Sequence, residues 1–295
     1  MRILRLLAGS FLATTLACAS PSSSPRASAL PARAAARAQG ELRVMTFNIQ
    51  SGLRGLELVA EVIRSSSPDV VALQEVDVRS RRAQGVDQPA VLAERTGLPY
   101  FAHFRTTELH GGDYGVALIS RFPLRKVAQY ALPVPPGAEP RTVAHAILKV
   151  DGRELSVYVT HLTRRPFNGA LRMRQSATII KLMSEDPRPK LLLGDMNDTP
   201  DSHAMRLLKR ELLDVFALRG EGPAETFPLP SVLRDIRIDY VLACEQFMPR
   251  RSRVIRVEAS DHYPVVADLS LLEPLQAPAS EVVRREPAQA PVSAP

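Results

Sequence analysis

From residue 41 onward, apolar and polar positions fall into short runs divided by turn residues. Leu42-Arg43-Val44-Met45-Thr46-Phe47 has the period-two rhythm of a strand. Leu56, Val59, Ala60 and Ile63 repeat at helical spacing and predict a helix over 56–64, after which Pro68 resets the chain. Val70-Val71-Ala72-Leu73 is a continuous apolar run, as expected of a strand buried on both faces. A second helix is predicted over 88–95, stopped by Gly97. Strands follow over 114–120, 124–132, 141–150 and 154–160, with Asp151-Gly152 as a hairpin turn. A long helix is predicted over 169–185, with Leu171, Ile179, Leu182 and Met183 inward, then strands over 191–193, 236–243 and 264–271. Strands in pairs and triplets with interspersed helices do not fit a doubly wound sheet. They predict an α/β sandwich of two stacked mixed β-sheets with helices outside. No internal repeat is visible.

The ends of the chain break this pattern. Arg2 and Arg5 precede a mostly apolar stretch and the small residues Ala17, Cys18 and Ala19, the pattern of a signal peptide over 1–18. The stretch is shorter than the roughly 20 apolar residues of a spanning helix. Thr15-Leu16-Ala17-Cys18 resembles a lipoprotein cleavage site, although Thr15 stands where leucine is usual. The sequence therefore leaves two outcomes open: a lipidated Cys18 tethering the protein to a membrane surface, or plain secretion. Residues 19–40 are rich in Ser, Pro, Ala and Arg and read as a linker without a core; residues 273–295 read as a Pro-rich tail. What remains, 41–272, is one domain, expected to be monomeric.

Charge and cysteine content narrow the classes. The chain has 295 residues and a net charge of +7. The first 40 residues hold five Arg and no acid, and the tail two Arg against three Glu. The domain is left with 31 basic and 28 acidic residues. Such a balance is weak support for nucleic-acid binding. The clusters Arg79, Arg81, Arg82 and Arg250, Arg251, Arg253 read as solvated loops, with a phosphate-facing rim as the sharper alternative. Beside Cys18 only Cys244 is present, so there is no disulfide framework, and its apolar surroundings predict a buried strand thiol.

Polar residues recur where apolar strands end: Asn48, Gln74-Glu75, His161, Gly194-Asp195-Met196-Asn197-Asp198 and Ser260-Asp261-His262, with Asp239 inside a strand. Strand ends gathered on one sheet edge are where α/β folds build sites. Glu75, Asp195 and Asp261 offer the hard oxygen atoms that Mg²⁺ or Mn²⁺ prefers. His161 and His262 are suited to proton transfer or charge stabilisation, and an Asp beside a His can hold its tautomer. Singly, each has a structural reading: Asp195 a turn residue, Asp239 an ion-pair partner of Arg237 or Arg234. No HExxH, Cys-x-x-Cys, P-loop or Gly-x-Ser-x-Gly elbow is present, which removes zinc-protease, nucleotide-cradle and serine-hydrolase readings.

Taken in order, Thr46-Phe47-Asn48, Leu73-Gln74-Glu75, Gly115 to Arg121, Thr160-His161-Leu162, Gly194 to Asn197, Ile238-Asp239-Tyr240 and Ser260 to Pro264 resemble the endonuclease/exonuclease/phosphatase superfamily. The resemblance covers about residues 41–271. It implies a four-layer deoxyribonuclease I-like α/β sandwich and divalent-metal phosphoester hydrolysis. It also implies metal binding by Asn48, Glu75, Asp195 and Asp261, with Glu75 foremost, and catalytic parts for His161, Asp195, Asn197, Asp239 and His262. His161 would donate to the scissile phosphate, Asp195 and Asn197 would orient water and phosphate, and Asp239 would hold His262.

Substrate identity stays open at this level. A phosphodiesterase acting outside the cytoplasm on phospholipid or GPI-like headgroups suits an exported, tethered protein, and the compact form resembles bacterial relatives of sphingomyelinases and of proteins linked to GPI-anchor remodelling. A nuclease is less favoured. The chain has no tryptophan to stack on bases, lacks the paired cysteines of the deoxyribonuclease I branch, and has Gln50 where AP endonucleases carry an acid. A sugar or inositol phosphate phosphatase is a further alternative, and an inactive binding module ranks last. Specificity is expected from loops over 79–87, 103–113, 164–168 and 220–233, where His110 and Arg164 are candidate phosphate contacts. Thr226-Phe227 resembles a further family element near the site.

Overall fold

The structure, a computed structural model, describes residues 37–273 apart from 165, 166 and 231. The predicted signal peptide, Cys18 and nearly all of the predicted linker and tail lie outside the described residues. Within the predicted linker, Arg37 already belongs to the domain. Its guanidinium lies 2.7 Å from the buried carboxylate of Asp69.

Thirteen strands and five α-helices, with one 3-10 turn at Gln50–Gly52, are present among the described residues. In chain order they are β1 (Glu41–Asn48), α1 (Leu56–Ser66), β2 (Val70–Val78), α2 (Gln88–Thr96), β3 (Tyr100–Leu109), β4 (Gly112–Ser120), β5 (Arg125–Leu132), β6 (Arg141–Val150) and β7 (Arg153–His161). They continue with α3 (Gly169–Ser184), β8 (Lys190–Asp195), α4 (His203–Leu208), β9 (Leu213–Asp214), α5 (Val215–Arg219), β10 (Gly220–Glu221), β11 (Asp239–Ala243), β12 (Phe247–Val254) and β13 (Val265–Leu271). One sheet has the order β10-β12-β13-β1-β2-β4-β3, the other β5-β6-β7-β8-β11-β9. Both are mixed, as predicted: β1 runs parallel to β2 and antiparallel to β13, and β7 runs parallel to β8.

The period of two decides which side chains meet. Along β1, Leu42 and Val44 join the core between the sheets, while Met45 and Phe47 pack with Val59, Ala60 and Ile63 of α1 and Leu92 of α2. On the other side of the sandwich, Ile179 and Met183 of α3 join Tyr158 and Leu192. The layers are therefore helices, sheet, sheet, helices. Central strands are buried on both faces, so 70–73 and 191–193 are continuously apolar rather than alternating.

Three predictions are corrected. The segment 103–113, read as a loop, is a β-hairpin of β3 and β4 closed at His110-Gly111. Residues 220–221, inside a predicted loop, form β10, paired with β12. Arg250, Arg251 and Arg253, read as solvated loop residues, lie on β12. Strand β12 is interrupted by an irregularity after Pro249 and presents arginines near the sheet's edge, where charge discourages pairing with another chain. Cys244 is buried as expected, one residue past β11, and its sulfur accepts from the Lys190 N–H at 3.1 Å.

Candidate active site

One edge of the sandwich collects the polar strand ends, and register does the collecting. β8 lies between β7 and β11, so His161, Asp195 and Asp239 stand abreast. β1 brings Asn48 to the same edge from the other sheet. Glu75 arrives by an irregularity in β2: the register shifts between Leu73 and Val76, and Glu75 takes φ 55°. His262 lies in the loop that leads into β13.

Asp195 is the centre. Its carboxylate, 1% exposed, accepts from the Asn48 side-chain amide at 3.1 Å and the Asn197 N–H at 2.8 Å. His161 Nε2 lies 3.4 Å from it and His262 Nε2 3.8 Å. The same Asn48 amide donates to Glu75 at 3.1 Å, so one side chain ties the two carboxylates together. Asp239 accepts from His262 Nδ1 at 2.9 Å. Asp239 is itself placed by Thr226, whose hydroxyl oxygen accepts from the N–H groups of Ile238 and Asp239. Phe227 packs on His262 with ring centroids 4.7 Å apart.

Electrostatics separate the groups. Burial disfavours a charged His262, but Asp239, Asp195 and Asp261 outweigh it and push the ring up to about 10. Burial together with the nearby Asp239 pushes Asp195 upward, while His262 and the Asn197 and Asn48 donors pull the other way. His161 moves well below its ordinary value because it is buried and faces Arg141, His262 and Arg164. The edge therefore holds a cationic His262, a neutral His161 and a carboxylate of raised proton affinity within one small volume.

The donor set fits a hard divalent cation. Asp195 and Asp239 offer carboxylate oxygens within 4.8 Å of each other and of a His262 ring nitrogen. The carboxylates are the ligand donors while His262 stays protonated, and Glu75 is bound to the same Asn48. Two buried polar atoms aimed into this region, His161 Nε2 and Asp239 Oδ1, have no hydrogen-bond partner. The Asn48 amide nitrogen faces both carboxylates and its oxygen accepts from the Gln50 N–H, so it would offer that oxygen to a metal only with the amide turned over. Asp261 is half-buried and occupied by Gln50 Nε2 at 3.0 Å and the Ser260 hydroxyl at 3.2 Å.

Residues 45–262 match the endonuclease/exonuclease/phosphatase family. The chain belongs to that family. Its fold is similar to an endonuclease/exonuclease/phosphatase from Beutenbergia cavernae, 28% identical, with a TM-score of 0.66 over 79% of this chain and 72% of that one. It is also similar in fold to a Bacteroides thetaiotaomicron mannosyl-6-phosphatase, 18% identical, TM-score 0.63, covering 77% of this chain and 99% of that one. The human nocturnin catalytic domain, solved with a bound sulfate, gives 22% identity and a TM-score of 0.62 over 78% and 93%. Among curated proteins, the fission yeast protein cwh43 is 29% identical over 160 residues, 53% of this chain but only 16% of that protein. Phosphoester hydrolysis is the chemistry that members of this family share.

The structure brings Asn48, Glu75, His161, Asp195, Asp239 and His262 into one cluster. Asn197 is adjacent, its side-chain amide donating to the Leu162 carbonyl at 3.1 Å. The structural reading of Asp239 as an Arg237 partner does not hold, because Arg237 pairs with the buried Asp214 at 2.7 Å.

Arg141 was not singled out from the sequence. It is 5% exposed, ion-paired to Glu139, and leaves its Nε without a partner. With Tyr114, Thr142 and His161 it lines a cavity of about 10 Å³, room for roughly one water. Arg141 heads β6, where an arginine reads the same in sequence whether it is buried or at the surface. Gln50, which departs from the acid of AP endonucleases, is the partner of Asp261.

Proposed function

We propose that this protein is a divalent-metal-dependent phosphodiesterase acting outside the cytoplasm on phospholipid or GPI-like headgroups. The observation that carries the hydrolytic part is the Asp239–His262 pair set against Asp195, with His161 and Asn48 completing the ring. When bound, Mg²⁺ or Mn²⁺ at Glu75 and its neighbouring carboxylates screens phosphate charge and positions its oxygens. Asp195, with raised proton affinity, is suited to accept a proton from the attacking water. Asn197 N–H and Asn48 fix that carboxylate's orientation. His262, kept cationic by Asp239, donates to a phosphoryl or leaving-group oxygen as negative charge builds there. Neutral His161 has an unsatisfied nitrogen for the same phosphate, and buried Arg141 beside it supplies a fixed positive charge. The headgroup assignment is supported by the export-type leader and by a domain charge too balanced for tracking a nucleic-acid backbone.

The test is hydrolysis of bis-p-nitrophenyl phosphate with Mg²⁺, Mn²⁺ or EDTA. Turnover is expected with metal and lost with EDTA. Glu75→Gln, Asp195→Asn and His262→Ala should each lower kcat by roughly 10²-fold or more with the fold retained. Full activity in a folded His262→Ala protein would sink the assignment. Turnover of monoesters alone would move the protein to the phosphatase reading, and turnover of DNA or RNA but not lipid headgroups to the nuclease reading.

A further inference from the structure

The four most exposed large apolar side chains among the described residues are Phe167, Val232, Leu53 and Leu233, at 102, 88, 59 and 59%. Their positions are not scattered. Leu53 follows the turn after β1, Phe167 lies in the loop after β7, and Val232 and Leu233 lie in the segment before β11. All three loops leave the sandwich at the edge that carries Asn48, His161 and Asp239. Each has an exposed arginine close in sequence: Arg54, Arg164 and Arg234. None of the three makes an ion pair among the described residues. The loops are also tied to the site. The turn before Leu53 includes Gln50, which holds Asp261. Arg164 is near enough to His161 to depress its proton affinity. The segment with Val232 and Leu233 continues from Phe227, which packs on His262.

We infer that these three loops form a docking surface for an anionic phospholipid bilayer and seat the catalytic edge on its headgroup layer. Single apolar tips, each with a cation beside it, match a boundary where acyl chains receive the apolar group and headgroup phosphates the guanidinium. A protein partner would call for a contiguous apolar patch. A nucleic acid would use the arginines but offers no apolar layer for Val232 and Leu233. The inference rests on the phosphodiesterase reading only for what the docked edge does, not for the docking itself.

The absence of tryptophan makes a local test simple. Phe167→Trp in the full chain places a single fluorophore at one tip, reporting on that loop whatever the N-terminal segment does. Vesicles of phosphatidylcholine with phosphatidylglycerol should shift its emission to the blue, and brominated acyl chains should quench it. Affinity for phosphatidylcholine alone should be at least about tenfold weaker. Leu53→Ser, Val232→Ser and Leu233→Ser together should weaken vesicle binding about 100-fold, while turnover of soluble bis-p-nitrophenyl phosphate stays unchanged. Arg54→Ser with Arg234→Ser should erase most of the preference for anionic vesicles. Emission unmoved by any vesicle, or quenching that survives the three serine substitutions, overturns the inference. So does a blue shift with single-stranded DNA but not with vesicles. Intact vesicle quenching in a protein that turns over no phosphoester would overturn the hydrolase reading and leave the docking surface standing.

Discussion

His262 sits between two carboxylates, 2.9 Å from Asp239 and 3.8 Å from Asp195, and its charge state follows from that position. Burial alone would keep the ring neutral; two facing anions reverse the outcome. Asp239→Asn removes the hydrogen-bonded anion, so the ring's pKa should fall from about 10 toward the ordinary value. The alkaline limb of the rate profile should then move to lower pH, and kcat at pH 8 should drop on the order of 10²-fold. A pH–rate profile identical to the parent's would show that a cationic His262 plays no part. At this scale the sequence showed residue types but not partners. Asp239 had two arginines close in sequence, yet Arg237 is drawn to the buried Asp214 and stacks on Phe216 and Tyr240. Arg141 was invisible because nothing local distinguishes a buried guanidinium from one that heads a strand at the surface.

At the level of elements, the site depends on how closely β7 and β8 approach. Gly194 takes φ 155°, and a Cβ there would lie 2.1 Å from the Thr160 carbonyl oxygen, with His161 and Asp195 the next residues along. Gly194→Ala should cost about 3 kcal/mol of stability and lower activity in the fraction that folds, because Asp195 shifts with its strand. Urea unfolding midpoints would check the first part; a midpoint equal to the parent's would mean that β7 can move aside freely. Most elements were legible because both faces of the central strands are apolar and the helices keep their spacing. Strands β3 and β12 were missed for a physical reason. Most of β3 is exposed or half-buried, with the polar Thr106, Thr107 and Glu108 in succession, and β12 carries three arginines and a proline. Their strand conformation comes from pairing with β4 and β13, not from their own pattern.

For the whole molecule, buried groups pull the response to acid in opposite directions: His262, whose proton affinity is raised, gains stability as pH falls toward the ordinary histidine range, and His145 loses it below that range. His145, on the outer face of its sheet, stacks on Tyr158 at 4.5 Å, with its Nε2 3.7 Å from Asp186 and Arg188 close by. Burial holds its pKa below the ordinary 6.5 despite Asp186. The unfolded chain therefore binds a proton that the folded chain resists. The contribution of His145 should be full above the ordinary histidine range and be lost as pH drops through 6.5 and below. His103 and His161 are shifted the same way, also by burial. Asp186, held low although burial opposes it, adds a further loss only under more acidic conditions. On going from pH 7.5 to 5.5 the urea midpoint of His145→Gln should lose less, or gain more, than that of the parent; an identical change in the two proteins would remove His145 from the account. By itself the sequence determined the two stacked sheets and the polar residues at strand ends, because burial on one or both faces writes a periodic signal and strand ends write a local one. Only the tertiary structure decided which of those residues meet. That depends on register between strands far apart in the chain, on a backbone irregularity at Glu75, and on a close approach at Gly194, none of which leaves a period to read.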